Sequence, residues 1–204
     1  MDYEYISWNR FYRLCGTLYR KVNESGFEAD LIIAITRGGY PAARVLADWF
    51  GLMDLVGLKI EHYRGPEKQA RTTVPYPLPL RIDGRRVLMV DDVSDSGDTF
   101  EAALAHLEQY GHAADLRTAV LHHKTSSSHV PDYHAHRVVK WRWITYPWAL
   151  VEDMSALAEK ITSKPRDENL LLRSLPAAFV RNIPKGVLEQ VTPVVLDRLG
   201  DTSE

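Results

Sequence analysis

At 204 residues, with 45% hydrophobic and 25% charged side chains, the chain has a globular balance and room for one ordinary domain plus an appendage. A net charge of −2 gives no electrostatic case for a nucleic-acid or membrane partner, and a single cysteine, Cys15, excludes an internal disulfide. No apolar run nears the length of a membrane span and the acidic start Met1-Asp2-Tyr3-Glu4 lacks a leader's pattern, so a cytoplasmic location is expected.

Ser7 is placed to cap a helix whose Trp8, Phe11, Cys15, Leu18 and Val22 recur at helical spacing, with Gly26 beyond its end. Cys15 lies on the apolar face, which makes it a buried structural thiol. Leu31 to Ile35 reads as a buried strand and leads into Thr36-Arg37-Gly38-Gly39-Tyr40-Pro41. A second helix turns Ala43, Leu46, Ala47 and Phe50 inward and ends at Gly51. Val56 to Tyr63 alternates as a strand. Residues 64–79 are polar and proline-rich without an apolar period, which predicts a functional lid, mobile when no substrate is bound.

Val87 to Val90 is a continuous apolar run of β-forming type, and it meets two adjacent carboxylates, Asp91 and Asp92. A short loop of small and hydroxyl residues follows. Phe100, Ala103, Leu104 and Leu107 then mark a helix, with Asp98 as the expected cap, Glu101 answering it and Gly111 closing it. Leu116 to Leu121 is a further strand. The alternation predicts an α/β fold, a mainly parallel twisted sheet flanked by helices, with its site at the strand carboxyl ends. Five histidines between His122 and His136 lack the framework of a structural zinc site and read as a polar loop and strand edge. After Lys164, Leu170–Leu175 and Val187–Leu199 form two apolar groups, expected to be a helical extension too small to bury a core alone.

The loop after Val90 suits a phosphorylated sugar. It joins a strand end to a helix start, where unpaired amides and the helix dipole favour an anion. Ser96, Gly97 and Thr99 offer hydroxyls and close backbone approach, Asp91 and Asp92 can accept from ribose hydroxyls directly or across magnesium, and Asp95 can handle a proton. Arg37-Gly38-Gly39 adds a second turn where amides and a guanidinium can meet an anion. Lys140 to Trp148 holds three tryptophans, which serve equally well as core packing or as a stacking wall for a planar base.

The string Val87 to Thr99 resembles the phosphoribosyl-pyrophosphate (PRPP) motif of the type I phosphoribosyltransferases: apolar strand, two acids, two small or apolar residues, Asp, Ser/Thr, Gly, any residue, Thr. The resemblance implies that fold, with a small hood at 138–153 and the lid at 64–79 inside a domain of residues 1–163, followed by the extension at 164–204. It implies PRPP contacts from Arg37, Gly38, Gly39, Asp91, Asp92, Asp95, Ser96, Gly97, Asp98 and Thr99, and magnesium (Mg2+) at Asp91 and Asp92. Arg37 and Asp95 would be catalytic, and the Thr36–Arg37 peptide is expected to be cis. The segment Trp143-Ile144-Thr145-Tyr146-Pro147-Trp148 is similar to the hood of the 6-oxopurine branch, bacterial xanthine-guanine and archaeal hypoxanthine-guanine enzymes. On that match Trp143 stacks on the purine, the Ile144 backbone meets its edge and Lys124 donates to O6. The relatives carry an acid beside or close behind Pro-Trp; here Ala149 follows Trp148 and acids begin at Glu152 and Asp153.

The expected activity is transfer of phosphoribose from PRPP to N9 of hypoxanthine, guanine or xanthine in purine salvage. Relatives assemble as dimers or tetramers, so a homo-oligomer is expected, with the extension covering a second subunit. The alternatives are a PRPP-sensing regulator of the same fold and a phosphoribosyltransferase for another base.

Overall fold

The computed structural model describes residues 1–63, 71–161 and 165–201. In chain order its elements are β1 (Tyr3–Tyr5), α1 (Trp8–Glu24), β2 (Leu31–Thr36), α2 (Tyr40–Phe50), β3 (Leu55–Tyr63), β4 (Arg71–Tyr76), β5 (Arg86–Ser94), α3 (Asp98–Leu107), β6 (Asp115–Lys124), β7 (Tyr133–Val138), β8 (Trp143–Thr145), α4 (Leu150–Ala158), α5 (Glu168–Ser174), α6 (Ala177–Val180) and α7 (Lys185–Asp201). The chain divides into two compact units, one of residues 12–140 and one of residues 1–11 with 141–204. The units break at 11/12 and 140/141, so the boundary expected at 163/164 lies inside the smaller unit and the hood expected at 138–153 spans the second break.

In the larger unit six strands run in the order β4-β3-β2-β5-β6-β7. Every pairing is parallel except β3 with β4, which gives the mainly parallel sheet anticipated. The central strands are apolar on both faces, as strands covered by helices must be. Leu31, Ile33, Ile35, Val87, Met89 and Val120 share one core with Phe100, Ala103 and Leu107 of α3. Ile32, Ala34, Leu88 and Val90, at alternate positions, are fully buried on the other face. Cys15, Leu18 and Val22 of α1 and Ala43, Leu46 and Ala47 of α2 are buried as their spacing predicts. Ser7 caps α1, its Oγ accepting from the Arg10 amide at 3.3 Å. Trp8, placed on the apolar stripe by its spacing, is exposed.

The lid expected at 64–79 is not one loop. Residues 64–70 lie outside those described, and 71–76 form the edge strand β4. Pro75 is tolerated there because an edge strand can spare an amide.

In the smaller unit β8 pairs in parallel with β1, Trp143 opposite Tyr3 and Thr145 opposite Tyr5. Most of the apolar residues of the C-terminal extension are covered within this unit, while Leu170 and Val194 stay exposed. Leu171, Leu175, Phe179, Leu188, Val195 and Leu199 join Leu150, Met154 and Ala158 of α4 in one core. Tyr3 meets Phe179 edge-on at 5.4 Å. Asp167 caps α5 by accepting from the Leu170 amide at 2.9 Å. No helix among the described residues is long and apolar enough to cross a membrane.

Candidate functional site

The site in the larger unit lies where β2 and β5 end. Strand β5 runs four residues beyond its apolar stretch, so Asp91 and Asp92 stand on the strand rather than in the loop the sequence suggested. The pairing of β5 with β6 continues through this polar end, Asp91 opposite Val120 and Ser94 opposite His123, and holds both carboxylates to the sheet. Asp91 is 7% exposed, and its Oδ1 accepts from the Asp92 amide at 2.8 Å. Burial, and then the charge of Asp92, pushes the Asp91 carboxyl well above the ordinary range.

Asp91, Asp92, Asp95, Ser96, Gly97 and Thr99 line one cleft of about 450 Å³, within the usual size of a small-molecule site. Asp98 is not among its lining residues, nor does it cap α3. The capping position belongs to Gly97, at φ 105°, and Asp98 starts the helix proper. A side chain at Gly97 would meet Ser128 and His129 as well as strained backbone. Ser128 braces the loop from behind, its amide and hydroxyl both donating to the Ser96 carbonyl, at 2.8 and 2.9 Å. His129 stacks on Phe100 at 4.6 Å. The hydroxyls of Ser94 and Ser127 lie 2.7 Å apart. Ser127 and Ser128 were not singled out in the sequence; the run Ser126-Ser127-Ser128 was the available sign.

The Arg37-Gly38-Gly39 turn packs directly against the carboxylates. The Thr36–Arg37 peptide is cis, as the resemblance implied. A Cβ on Gly38 would run into the Asp92 carboxylate, and one on Gly39 into the Val90 carbonyl and the Asp91 backbone. Gly39 is thus demanded by close approach. Its amide donates to the Ile35 carbonyl at 2.9 Å and is not presented to an anion. Arg37 is exposed.

Lys124 closes the site. It is the last residue of β6 and 3% exposed, and its Nζ donates to Asp95 Oδ2 at 2.6 Å. The two expected roles, proton handling and O6 recognition, therefore fall on side chains in direct contact. Among the described residues, no three His, Cys, Asp or Glu side chains gather to hold a metal ion. The paired acids Asp91 and Asp92 still fit a hard cation that draws most of its oxygens from elsewhere. The five histidines lie on β6, β7 and the turn between them: His122 packs against His136 at 5.6 Å and His123 against His134 at 5.5 Å.

Trp143 and Ile144 belong to β8 in the smaller unit. Trp143 is 41% exposed, and its indole N–H donates to Asp153 at 2.9 Å. Trp148 is a packing residue, stacked on Tyr146 at 4.8 Å and edge-on to Phe11 at 4.9 Å. Trp148 is thus packed, while Trp143 bears an open face. Burial raises the Asp153 carboxyl above its usual range.

The family model described as "Phosphoribosyl transferase domain" matches residues 4–153. The purine phosphoribosyltransferase of Pyrococcus horikoshii superposes with a TM-score of 0.66 at 32% identity, covering 72% of this chain and 95% of that one. The "Bifunctional protein PyrR" of Pseudomonas aeruginosa is 34% identical over 116 residues, which are 53% of this chain and 66% of the relative. The xanthine-guanine phosphoribosyltransferase of Cereibacter sphaeroides is 26% identical over 148 residues, 71% of this chain and 85% of that relative.

Proposed function

The chain belongs to the phosphoribosyltransferase domain family, and from that membership we propose that it transfers the phosphoribosyl group of PRPP to N9 of a 6-oxopurine. The bond from the ribose anomeric carbon to pyrophosphate breaks, the bond to N9 forms, and the purine gives up a proton. The observation that carries the reading is the contact of Asp95 with Lys124 beside the cleft of residues 91–100. A carboxylate and an ammonium side by side offer an acceptor and a donor, the complement of a protonated N7 and the neighbouring O6 of a purine. The name of the Pyrococcus relative supports a purine, and that of the Cereibacter xanthine-guanine relative a 6-oxopurine.

Each residue's part follows from its chemistry. Ser96, Gly97 and Thr99, at the start of α3, would hold the 5′-phosphate. Asp91 and Asp92 would orient the ribose hydroxyls. Arg37, beside the room left by Gly38, would meet the pyrophosphate as its charge develops. Asp95 would accept the N7 proton and relay it. Lys124 would select an oxygen at C6 over an amino group, which has no acceptor to offer it. Trp143 and the Ile144 backbone are assigned to the base face and edge. Magnesium, when bound with PRPP, would neutralise leaving-group charge, with Asp91 and Asp92 as its protein carboxylates. A cytoplasmic homo-oligomer acting in salvage completes the reading.

The likeness to the bifunctional PyrR protein keeps a second reading, a PRPP-responsive regulator. One experiment separates them: a spectrophotometric assay of hypoxanthine, guanine and xanthine with PRPP and Mg2+, beside a nucleic-acid titration at several salt concentrations. Turnover of any of the three purines is the expected result. Salt-dependent RNA or DNA binding with no turnover would overturn the proposal.

A further inference from the structure

Trp143 is an exposed indole with one fixed point. Its backbone is set by β8, where the Trp143 amide donates to Asp2 and the Ile6 amide donates to Thr145, both at 2.9 Å. Its side chain is set by Asp153, one turn into α4. The same carboxylate oxygen, Oδ2, accepts the Trp143 indole N–H at 2.9 Å and the Thr145 hydroxyl at 2.6 Å. Residues 143 and 145 are two apart on a strand, so their side chains leave the same face and one acceptor reaches both. A half-buried carboxylate with two donors on one oxygen has little freedom to turn, and neither has the ring it holds.

We infer that Asp153 is a positioning residue, which locks the Trp143 ring in the plane that a purine stacks on. The inference rests on the reading of Trp143 as the base-facing residue. Holding the ring in advance removes the cost of ordering it when the base arrives. The device extends past the family match, which ends at residue 153. Asp153 rides on α4, and the apolar side of α4, Leu150, Met154 and Ala158, is covered by Leu171, Phe179 and Val195 from beyond that limit. The C-terminal helices thus act on base recognition without touching the base, by fixing the helix that fixes the ring.

The test uses Asp153→Leu, which keeps size and removes the acceptor, and Asp153→Asn, whose amide oxygen can accept both bonds. The first readout needs no substrate: hydrogen exchange of the Trp143 indole N–H by NMR, its signal assigned by loss in Trp143→Phe. The expected result is faster exchange in Asp153→Leu than in the wild type, and slow exchange retained in Asp153→Asn. The second readout is steady-state kinetics. Asp153→Leu should raise the purine KM about tenfold, on the scale of a lost base–aromatic stack, with the PRPP KM unchanged and the purine KM recovered in Asp153→Asn. In a Trp143→Phe background, which has no N–H to hold, Asp153→Leu should add nothing further. Unchanged indole exchange in Asp153→Leu, or an equal rise in both KM values, would overturn the inference. Absence of turnover with every purine would instead refute the proposed activity, while the exchange result still decides the role of Asp153.

Discussion

Lys124 Nζ donates to Asp95 Oδ2 at 2.6 Å, one step past the rung where Ser94 of β5 pairs with His123 of β6. The parallel register therefore creates the contact: once β5 and β6 are paired, the residues that follow are neighbours. Asp95→Asn should slow turnover about 10²-fold or more, the usual scale for a general acid–base group, with PRPP binding retained. It also leaves a buried ammonium facing a neutral amide, so thermal stability should fall. Adding Lys124→Met should restore stability and not turnover. A near-normal kcat in Asp95→Asn would remove Asp95 from the proton relay.

Trp143→Ala tests the base platform. Loss of a stack worth about 1–3 kcal/mol should raise the purine KM about tenfold or more and leave that for PRPP nearly unchanged. Equal losses for both substrates would make Trp143 a packing residue, in spite of its exposure.

Gly38→Ala tests the turn. The new methyl must displace the Asp92 carboxylate from its place over the turn. Calorimetric titration with PRPP and Mg2+ should show affinity reduced about tenfold or more, about 1.4 kcal/mol, in a chain that still folds. Gly39→Ala meets backbone and should lower the melting temperature as well. Wild-type affinity in Gly38→Ala would mean that Asp92 does not contact PRPP or its metal.

The one thiol gives a pH prediction. Burial pushes the Cys15 thiol well above the ordinary thiol value of 9.0, up to about 12. Only the thiolate reacts, so at pH 8 alkylation should run about 10³-fold slower than for a free cysteine until denaturant is added. The folded chain holds this proton more tightly than the unfolded one, so the contribution to stability is constant below pH 9 and falls as pH rises from 9 towards 12. Fast labelling in native buffer would show that α1 opens.

Phe179→Ala tests the shared core of the smaller unit. Removing a buried phenylalanine costs about 3–5 kcal/mol, and this one also supports Tyr3. The melting temperature should drop. If the C-terminal helices hold α4 in place, the purine KM should rise more than the PRPP KM; a change in stability with both KM values untouched would limit those helices to bulk packing.

Much of the sheet was legible because its strands are unbroken apolar runs and its turns carry glycine at Gly51, Gly97 and Gly111. The site's acids were legible as a string, since Asp91 to Thr99 lie together in the chain. What escaped was whatever depends on distant partners. The burial of Lys124 requires Asp95, and no local pattern in Thr-Ala-Val-Leu-His-His-Lys distinguishes an inward lysine from a surface one. β4 is polar and holds Pro75, so only its antiparallel partner β3 makes it a strand. The leucines of α5 and valines of α7 announce that most of them must be covered, but not by what; α4, α5 and α7 share one core. Asp153 was noticed as an acid and could not be tied to Trp143 without knowing that β8 and α4 face each other.

The pairing of β1 with β8 has a consequence for how the molecule is made. Tyr3–Tyr5 leaves the ribosome early, yet the strand it pairs with, Trp143–Thr145, is synthesised only after the whole of the larger unit. At roughly 5–20 residues per second, that delay is on the order of ten seconds. The six-stranded sheet can be complete while the first strand still waits. The smaller unit then forms last, when the final helix emerges, so a nascent chain acquires the cleft assigned to PRPP before the platform assigned to the base.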